Sequence, residues 1–144
     1  MVAAFAALLL AGCGGGSAST GTTTTTFEVP RARLVPARLA QPNGCYLTVF
    51  LSESVTPVQK RTVERLLLSN RRVREVAFVS KRLALKRLAQ TQPDVVRGMH
   101  VNPFPDSFEV VPGTRADVFA IVTQFAVGVD GVTNVRADSS CAQP

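Results

Sequence analysis

The stretch Cys45-Tyr46-Leu47-Thr48-Val49-Phe50-Leu51 alternates side chains with period two and is soon followed by the sequence signals of a helix start. Leu47, Val49 and Leu51 fall on one face of such a strand. In Thr56-Pro57-Val58-Gln59, threonine and glutamine have capping-box spacing, and proline takes the first helical position. The sequence here predicts a strand that leads directly into a helix.

The same two patterns alternate along the rest of residues 44–144, which are enough for one compact domain with one core. The further predicted elements are a strand at 73–79, a helix capped by Ser80 and interrupted by Pro93, a strand at 107–111, a helix capped by Thr114-Arg115-Ala116-Asp117 and stopped by Gly128, and a strand at 132–137. This order matches two split βαβ units. We predict an α+β, ferredoxin-like sandwich with an antiparallel four-stranded sheet and a helical insertion, about residues 80–101, between the second and third strands.

The N-terminal residues predict export. Leu10-Ala11-Gly12-Cys13 ends an apolar run that begins at Val2, and it is similar to the lipobox of bacterial lipoproteins. The run has about half of the roughly 20 apolar residues that cross a bilayer, which favours a signal peptide at residues 1–12. The resemblance implies lipidation of Cys13 and anchoring in the outer leaflet of the cell membrane, facing the extracytoplasmic space. No basic residue precedes Arg31, so we expect the native start codon to lie upstream of the first residue.

Residues 13–43 join the lipidated cysteine to the domain. They are rich in Gly, Ser, Thr and Pro, a composition typical of a flexible tether.

The two remaining cysteines, Cys45 and Cys141, are predicted to form a disulfide. Disulfides persist outside the cytoplasm. In the predicted topology the first and last strands are antiparallel neighbours, so the start of the first lies near the end of the last. Two unconnected buried thiols are the alternative, while the single histidine and the absence of close Cys or His spacing argue against a metal site.

Catalytic chemistry finds no support in the sequence. His100 is the only histidine, the carboxylates show no pairing pattern, and no glycine-rich phosphate loop precedes a helix. We therefore predict no catalytic residue, no cofactor and no metal. Tyr46 and Phe50 would suit RNA stacking on an open sheet face, but Glu109 on the neighbouring strand and the predicted export argue against a nucleic-acid partner.

The formal net charge of +6 is concentrated in one part of the chain. Eight basic residues there are opposed only by Glu75 and Asp94: Arg71, Arg72, Arg74, Lys81, Arg82, Lys86, Arg87 and Arg97. Such a surface can bind wall polymers, anionic lipid headgroups or an acidic protein. The alternative is a solvated face without a binding role.

Several short motifs, in order, resemble the extracellular domain of FtsX, the permease-like membrane subunit of the cell-division ABC complex. They are residues 49–51 and 55–59, Val76 to Lys81 with Ala84-Leu85, and Asn102-Pro-Phe-Pro-Asp-Ser-Phe-Glu-Val110, the most specific of them. The resemblance covers residues 46–135. It implies a compact lobe with a helical insertion that recruits or activates peptidoglycan hydrolases without catalysis of its own.

Two departures from that family limit what the resemblance implies. FtsX carries this domain between transmembrane helices, whereas this sequence shows only the predicted lipid tether. Arg82 and Leu83 also stand where the family usually has acidic residues, and a cation at a helix N-terminus is mildly unfavourable.

These observations together predict a non-catalytic interaction module that docks or regulates a peptidoglycan hydrolase or the division complex. The predicted partner-binding residues are Leu83, Leu88, Val95, Val96, Met99 and Phe104. The predicted basic rim is Arg82, Lys86, Arg87 and Arg97. For Leu88 and Phe104, the alternative is packing in the core. For the whole protein, the alternative is a role as a ligand-binding or wall-polymer-binding envelope lipoprotein.

Overall fold

A computed structural model describes residues 32–38 and 44–142. The predicted lipidation site Cys13, the signal peptide and most of the predicted tether lie outside the described residues. The described elements are β1 (Arg33–Leu34), β2 (Leu47–Leu51), α1 (Pro57–Ser69), β3 (Val73–Val79), α2 (Lys81–Thr91), α3 (Pro93–Arg97), β4 (Ser107–Pro112), α4 (Asp117–Ala126), β5 (Val132–Ala137) and a 3₁₀ turn at Ser139–Cys141.

The strands form one five-stranded sheet in the order β1-β3-β4-β2-β5. The α+β class is confirmed, but the predicted four-stranded, wholly antiparallel sheet is wrong in one respect. β1 lies in the segment expected to be a tether and pairs parallel to β3, with Arg33 opposite Glu75. The outer edge of β3 carries backbone groups that need partners, and Val35 N–H donates to Val76 O at 2.9 Å. Two residues are too few to show a strand pattern in the sequence.

The other four strands pair antiparallel, and β2 lies between β4 and β5. One face of this sheet packs against α1 and α4 and contains the core. The buried core residues are Leu47, Val49, Leu51, Val63, Leu67, Val73, Val76, Phe108, Val110, Ile121, Phe125 and Val135. Each large side chain among them contributes roughly 1.5 to 3 kcal/mol by leaving water.

The two core-facing helices start in different ways. At α1 the predicted capping box is present: Gln59 N–H donates to Thr56 Oγ1 at 3.2 Å, and Thr56 N–H donates to Gln59 Oε1 at 2.9 Å. The predicted cap of α4 is wrong by two residues: the N-cap is Ala116, and the helix begins at Asp117 without a side-chain cap. Thr114 instead donates from its N–H and its hydroxyl to Asp117 Oδ2, at 2.9 and 2.7 Å. The threonine thus belongs to a turn before the helix.

The disulfide between Cys45 and Cys141 is confirmed, with a Cα–Cα distance of 4.4 Å. It follows from the pairing of β2 with β5, which sets Leu47 opposite Ala137 and brings the flanking cysteines together. Cross-linking therefore joins the two ends of the domain.

α2 lies on the sheet face opposite the core. Glu109 alternates with Phe108 and Val110 along β4, so its side chain points away from the core, and there it meets Arg87 of α2. The insertion is thus a partial third layer over the sheet.

Candidate docking surface

The first turn of α2 is fixed by polar residues from two places in the chain. Leu83 N–H donates to Ser80 Oγ at 3.2 Å, and Lys81 N–H donates to Asp106 Oδ1 at 2.8 Å. A carboxylate at a helix N-terminus is favourable. Asp106 therefore offsets the unfavourable cation that Arg82 introduces there.

The motif at residues 102–106 has a structural role at this helix start. Asn102 Nδ2 donates to Lys81 O at 2.8 Å, and Asn102 Oδ1 accepts the N–H of Phe104 at 3.0 Å. These bonds set the segment against the beginning of α2. Phe104 consequently lies at the same end of the insertion as Leu83.

The insertion bends where α2 meets α3. Gln92 is both the C-cap of α2 and the N-cap of α3, and its N–H donates to Leu88 O at 2.7 Å. The bend is expected from Pro93, because the residue before a proline is driven out of the helical conformation. Neither helix has a buried residue.

The six predicted partner-binding residues all keep some exposure to solvent. Val95 is 48% exposed, and the others are half-buried: Leu83, Leu88, Val96, Met99 and Phe104. Leu88 and Phe104 are thus not part of the buried core. Sequence reasoning missed Val101, which is 81% exposed beside the same segment. Its only sequence signal is an apolar residue directly before the Asn102 motif.

The predicted basic rim needs one correction. Arg82, Lys86 and Arg97 are exposed, and Arg97 pairs with Asp94 on the same helix. Arg87 is internal: its side chain is 12% exposed and forms a bidentate ion pair with Glu109, which is 6% exposed.

Arg87 also connects the insertion to the segment that follows β1. Its Nε donates to Arg38 O at 3.0 Å. The residue therefore holds α2, β4 and residues 32–38 together. Its partner Glu109 lies 22 positions along the chain, so no local sequence pattern could have identified the pair.

The site has the chemistry of a binding surface. Among residues 32–38 and 44–142, no group of three or more His, Cys, Asp or Glu side chains is placed to hold a metal ion. No helix in this part of the chain has the length and apolar character needed to cross a membrane. Half-exposed apolar side chains beside exposed cations suit a partner with an apolar surface and acidic surroundings.

A cleft of about 440 Å³ opens beside strands β2 and β5. It is lined by Tyr46, Thr48, Arg136, Ala137, Asp138 and Ser139. Burial of the Tyr46 hydroxyl, helped by the charge of Asp138 and a hydrogen bond to it, raises the pKa of Tyr46 to about 12. The hydrogen bonds that Asp138 accepts, first from Ser140, lower the pKa of its carboxyl.

Tyr46 makes the stability of the fold sensitive to alkaline pH. The tyrosine pKa is 10.0 when unperturbed and about 12 in the folded domain, so its contribution is complete below pH 10 and is lost as pH rises to about 12. We expect the rise in pH to lower the free energy of unfolding by up to about 2 kcal/mol. Urea unfolding of wild type and Tyr46→Phe at pH 9 and pH 11.5, with free thiols blocked, measures the difference. Equal losses in both proteins would contradict the assignment.

The family model of the FtsX extracellular domain matches residues 45–144. This chain belongs to the FtsX extracellular domain family. Two solved FtsX domains from Streptococcus pneumoniae have the same fold. The crystal structure of extracellular domain 1 in complex with undecyl-maltoside has 20% identity and a TM-score of 0.57, covering 67% of this chain and 97% of that one. The solution structure of the large extracellular loop has 21% identity and a TM-score of 0.56, covering 65% and 98%. No curated protein matches the chain by sequence.

Membership of this family indicates the general role and the location of the domain. The family consists of non-catalytic, regulatory extracellular modules related to cell division. The domain is accordingly extracytoplasmic, in agreement with its disulfide.

Proposed function

We propose that this chain is an exported, lipid-anchored docking module whose insertion binds a peptidoglycan hydrolase or a component of the division complex. The observation that carries the proposal is that α2 and α3 bury no residue completely, although apolar side chains occur throughout both. Amphipathic helices that are not needed for the core are suited to contact a partner. The contact residues are the six named above, and Arg82, Lys86 and Arg97 surround them.

A solved relative supports an apolar binding role for this type of domain. The pneumococcal domain was crystallised in complex with undecyl-maltoside, a sugar head joined to an eleven-carbon chain. An alkyl chain can occupy a surface that otherwise receives the apolar side chains of a partner. In this chain we assign that surface to Val95, Val96 and Met99.

The proposal includes the anchor. Cys13 carries the lipid after removal of residues 1–12, the residues between Cys13 and β1 connect it to the sheet, and residues 44–144 form the binding domain. Labelling with a radioactive or alkyne-bearing fatty acid tests this directly. Label retained by wild type and lost from Cys13→Ser is the expected result.

The docking surface is tested by Val95→Asp. A carboxylate at this half-exposed position places an unpaired charge in the apolar contact, and we expect at least a ten-fold loss of hydrolase or division-protein binding. The measurement is capture from envelope extracts followed by titration of the purified partner. Val58→Asp is the matched control, because Val58 is 66% exposed on α1, which packs on the opposite face of the sheet. An acidic residue in a first helical turn is also well tolerated there.

Two results would contradict the proposal. Equal partner binding by the Val95→Asp and Val58→Asp proteins would exclude this part of the insertion as the docking surface. Binding of wall polymer alone, lost in Arg82→Gln/Lys86→Gln/Arg97→Gln, would favour the alternative role as a polymer-binding envelope lipoprotein.

A further inference from the structure

A second charged surface lies at the end of the sheet where β3 begins. Arg71 and Arg72 occupy the turn before β3, Arg74 is in its first residues, and Arg33 is on the neighbouring strand β1. All four side chains are exposed. We call this surface the basic end.

Nearby carboxylates neutralise only part of this charge. Arg72 Nε lies 3.8 Å from Asp117 Oδ1, and Arg74 Nε lies 3.7 Å from Glu75 Oε1. Both distances are beyond a hydrogen bond, and exposed pairs of this kind are weak. Two positive charges remain after both carboxylates are counted. Arg115, exposed in the turn after β4, lies at the same end of the sheet.

The direction of β1 determines what this end faces. Because β1 is parallel to β3, with Arg33 opposite Glu75, the start of β1 lies at the end of the sheet where β3 begins. The proposed lipid at Cys13 precedes that point. The proposed tether therefore joins the sheet at the basic end.

The docking surface starts at the other end of the sheet. α2 begins directly after Val79, the last residue of β3, and seven strand residues span about 23 Å. Lys81 and Asp106 meet there. A membrane at the basic end would thus leave the start of the insertion accessible to a partner.

We propose that the basic end binds the anionic phospholipid headgroups of the anchoring bilayer and thereby orients the domain with the start of α2 away from the membrane. A guanidinium can donate two parallel hydrogen bonds to one phosphate, which makes exposed arginines suitable for this contact. Only the orientation rests on the anchor proposed above. The electrostatic contact can be measured without it.

The experiment compares vesicle binding of the full chain with and without anionic lipid. The probes are phosphatidylcholine vesicles and vesicles with 30% phosphatidylglycerol, at low salt. The ratio of the two partition coefficients removes the apolar contribution of the N-terminal residues, which is common to both vesicle types. We expect Arg33→Gln/Arg71→Gln/Arg74→Gln to lower this ratio by at least ten-fold, since each arginine near an anionic surface contributes about five-fold. The difference should disappear in 0.5 M salt.

The matched control is Arg82→Gln/Lys86→Gln/Arg97→Gln, which removes the same number of charges from the insertion. We expect it to keep the wild-type ratio within two-fold. An unchanged ratio in the basic-end variant, or an equal fall in both variants, would overturn the proposal. Neither outcome depends on hydrolase binding, so failure of this inference and failure of the docking proposal are distinguishable.

Discussion

Cys45→Ser/Cys141→Ser is expected to lower the free energy of unfolding by about 3 to 5 kcal/mol. The two cysteines are 96 residues apart, and a closed loop of that size restricts the unfolded chain strongly. For a domain of this size, the loss corresponds to a fall in Tm of roughly 15 to 30 °C. Thermal unfolding followed by circular dichroism is the measurement.

The control for this experiment is Cys13→Ser, which removes a thiol without touching the disulfide. Reduction of the wild-type protein with dithiothreitol should reproduce the double variant. If wild type and Cys45→Ser/Cys141→Ser unfold within a few degrees of each other, the cross-link does not contribute as described.

The second large effect is expected at the buried ion pair. Arg87→Met should destabilise the domain by about 3 to 5 kcal/mol, because it leaves the carboxylate of Glu109 buried without its charged partner. The same substitution removes the donor to Arg38 O. Faster amide exchange of residues 32–38 and of α2 should accompany the loss.

A double-mutant cycle separates the interaction energy between Arg87 and Glu109 from the contacts that each makes with other residues. Arg87→Met/Glu109→Gln should recover much of the loss, since two neutral side chains avoid an uncompensated buried charge. Lys86→Met, one position away and exposed, is the matched control and should change stability by less than about 0.5 kcal/mol. Additive losses at Arg87 and Glu109 would show that the two side chains do not interact.

This ion pair explains how the insertion can be both attached and available. α2 is fixed at its first turn by Ser80 and Asp106 and at its centre by Arg87. Because polar contacts position the helix, its apolar side chains need not all be buried against the sheet. The proposed docking function depends on this arrangement.

Local sequence patterns predicted most of the regular structure. Period-two alternation identified β2, and a threonine, proline and glutamine at fixed spacing identified the start of α1. Pro93 predicted the bend in the insertion. These signals act between residues close in the chain, where sequence alone is sufficient.

The disulfide and the family were also predictable, for a different reason. Cys45 and Cys141 flank the first and last predicted strands, and the predicted order of strands and helices makes those strands neighbours. Several short motifs, of which the Asn102 motif is the most specific, identified the family by their order and spacing. The six docking residues remain a prediction that the proposed variants test.

Sequence patterns were therefore sufficient to predict the α+β class, most element boundaries, the disulfide and the family. The folded structure was needed to show that residues 33–34 add a parallel strand to the edge of β3 and that Arg87 is internal. It also showed that Thr114 closes a turn onto Asp117 before α4 begins. An edge strand needs a neighbour with unpaired backbone groups, and a buried arginine needs a carboxylate on another element. Such partners are brought together by the folded chain, and local sequence does not specify them.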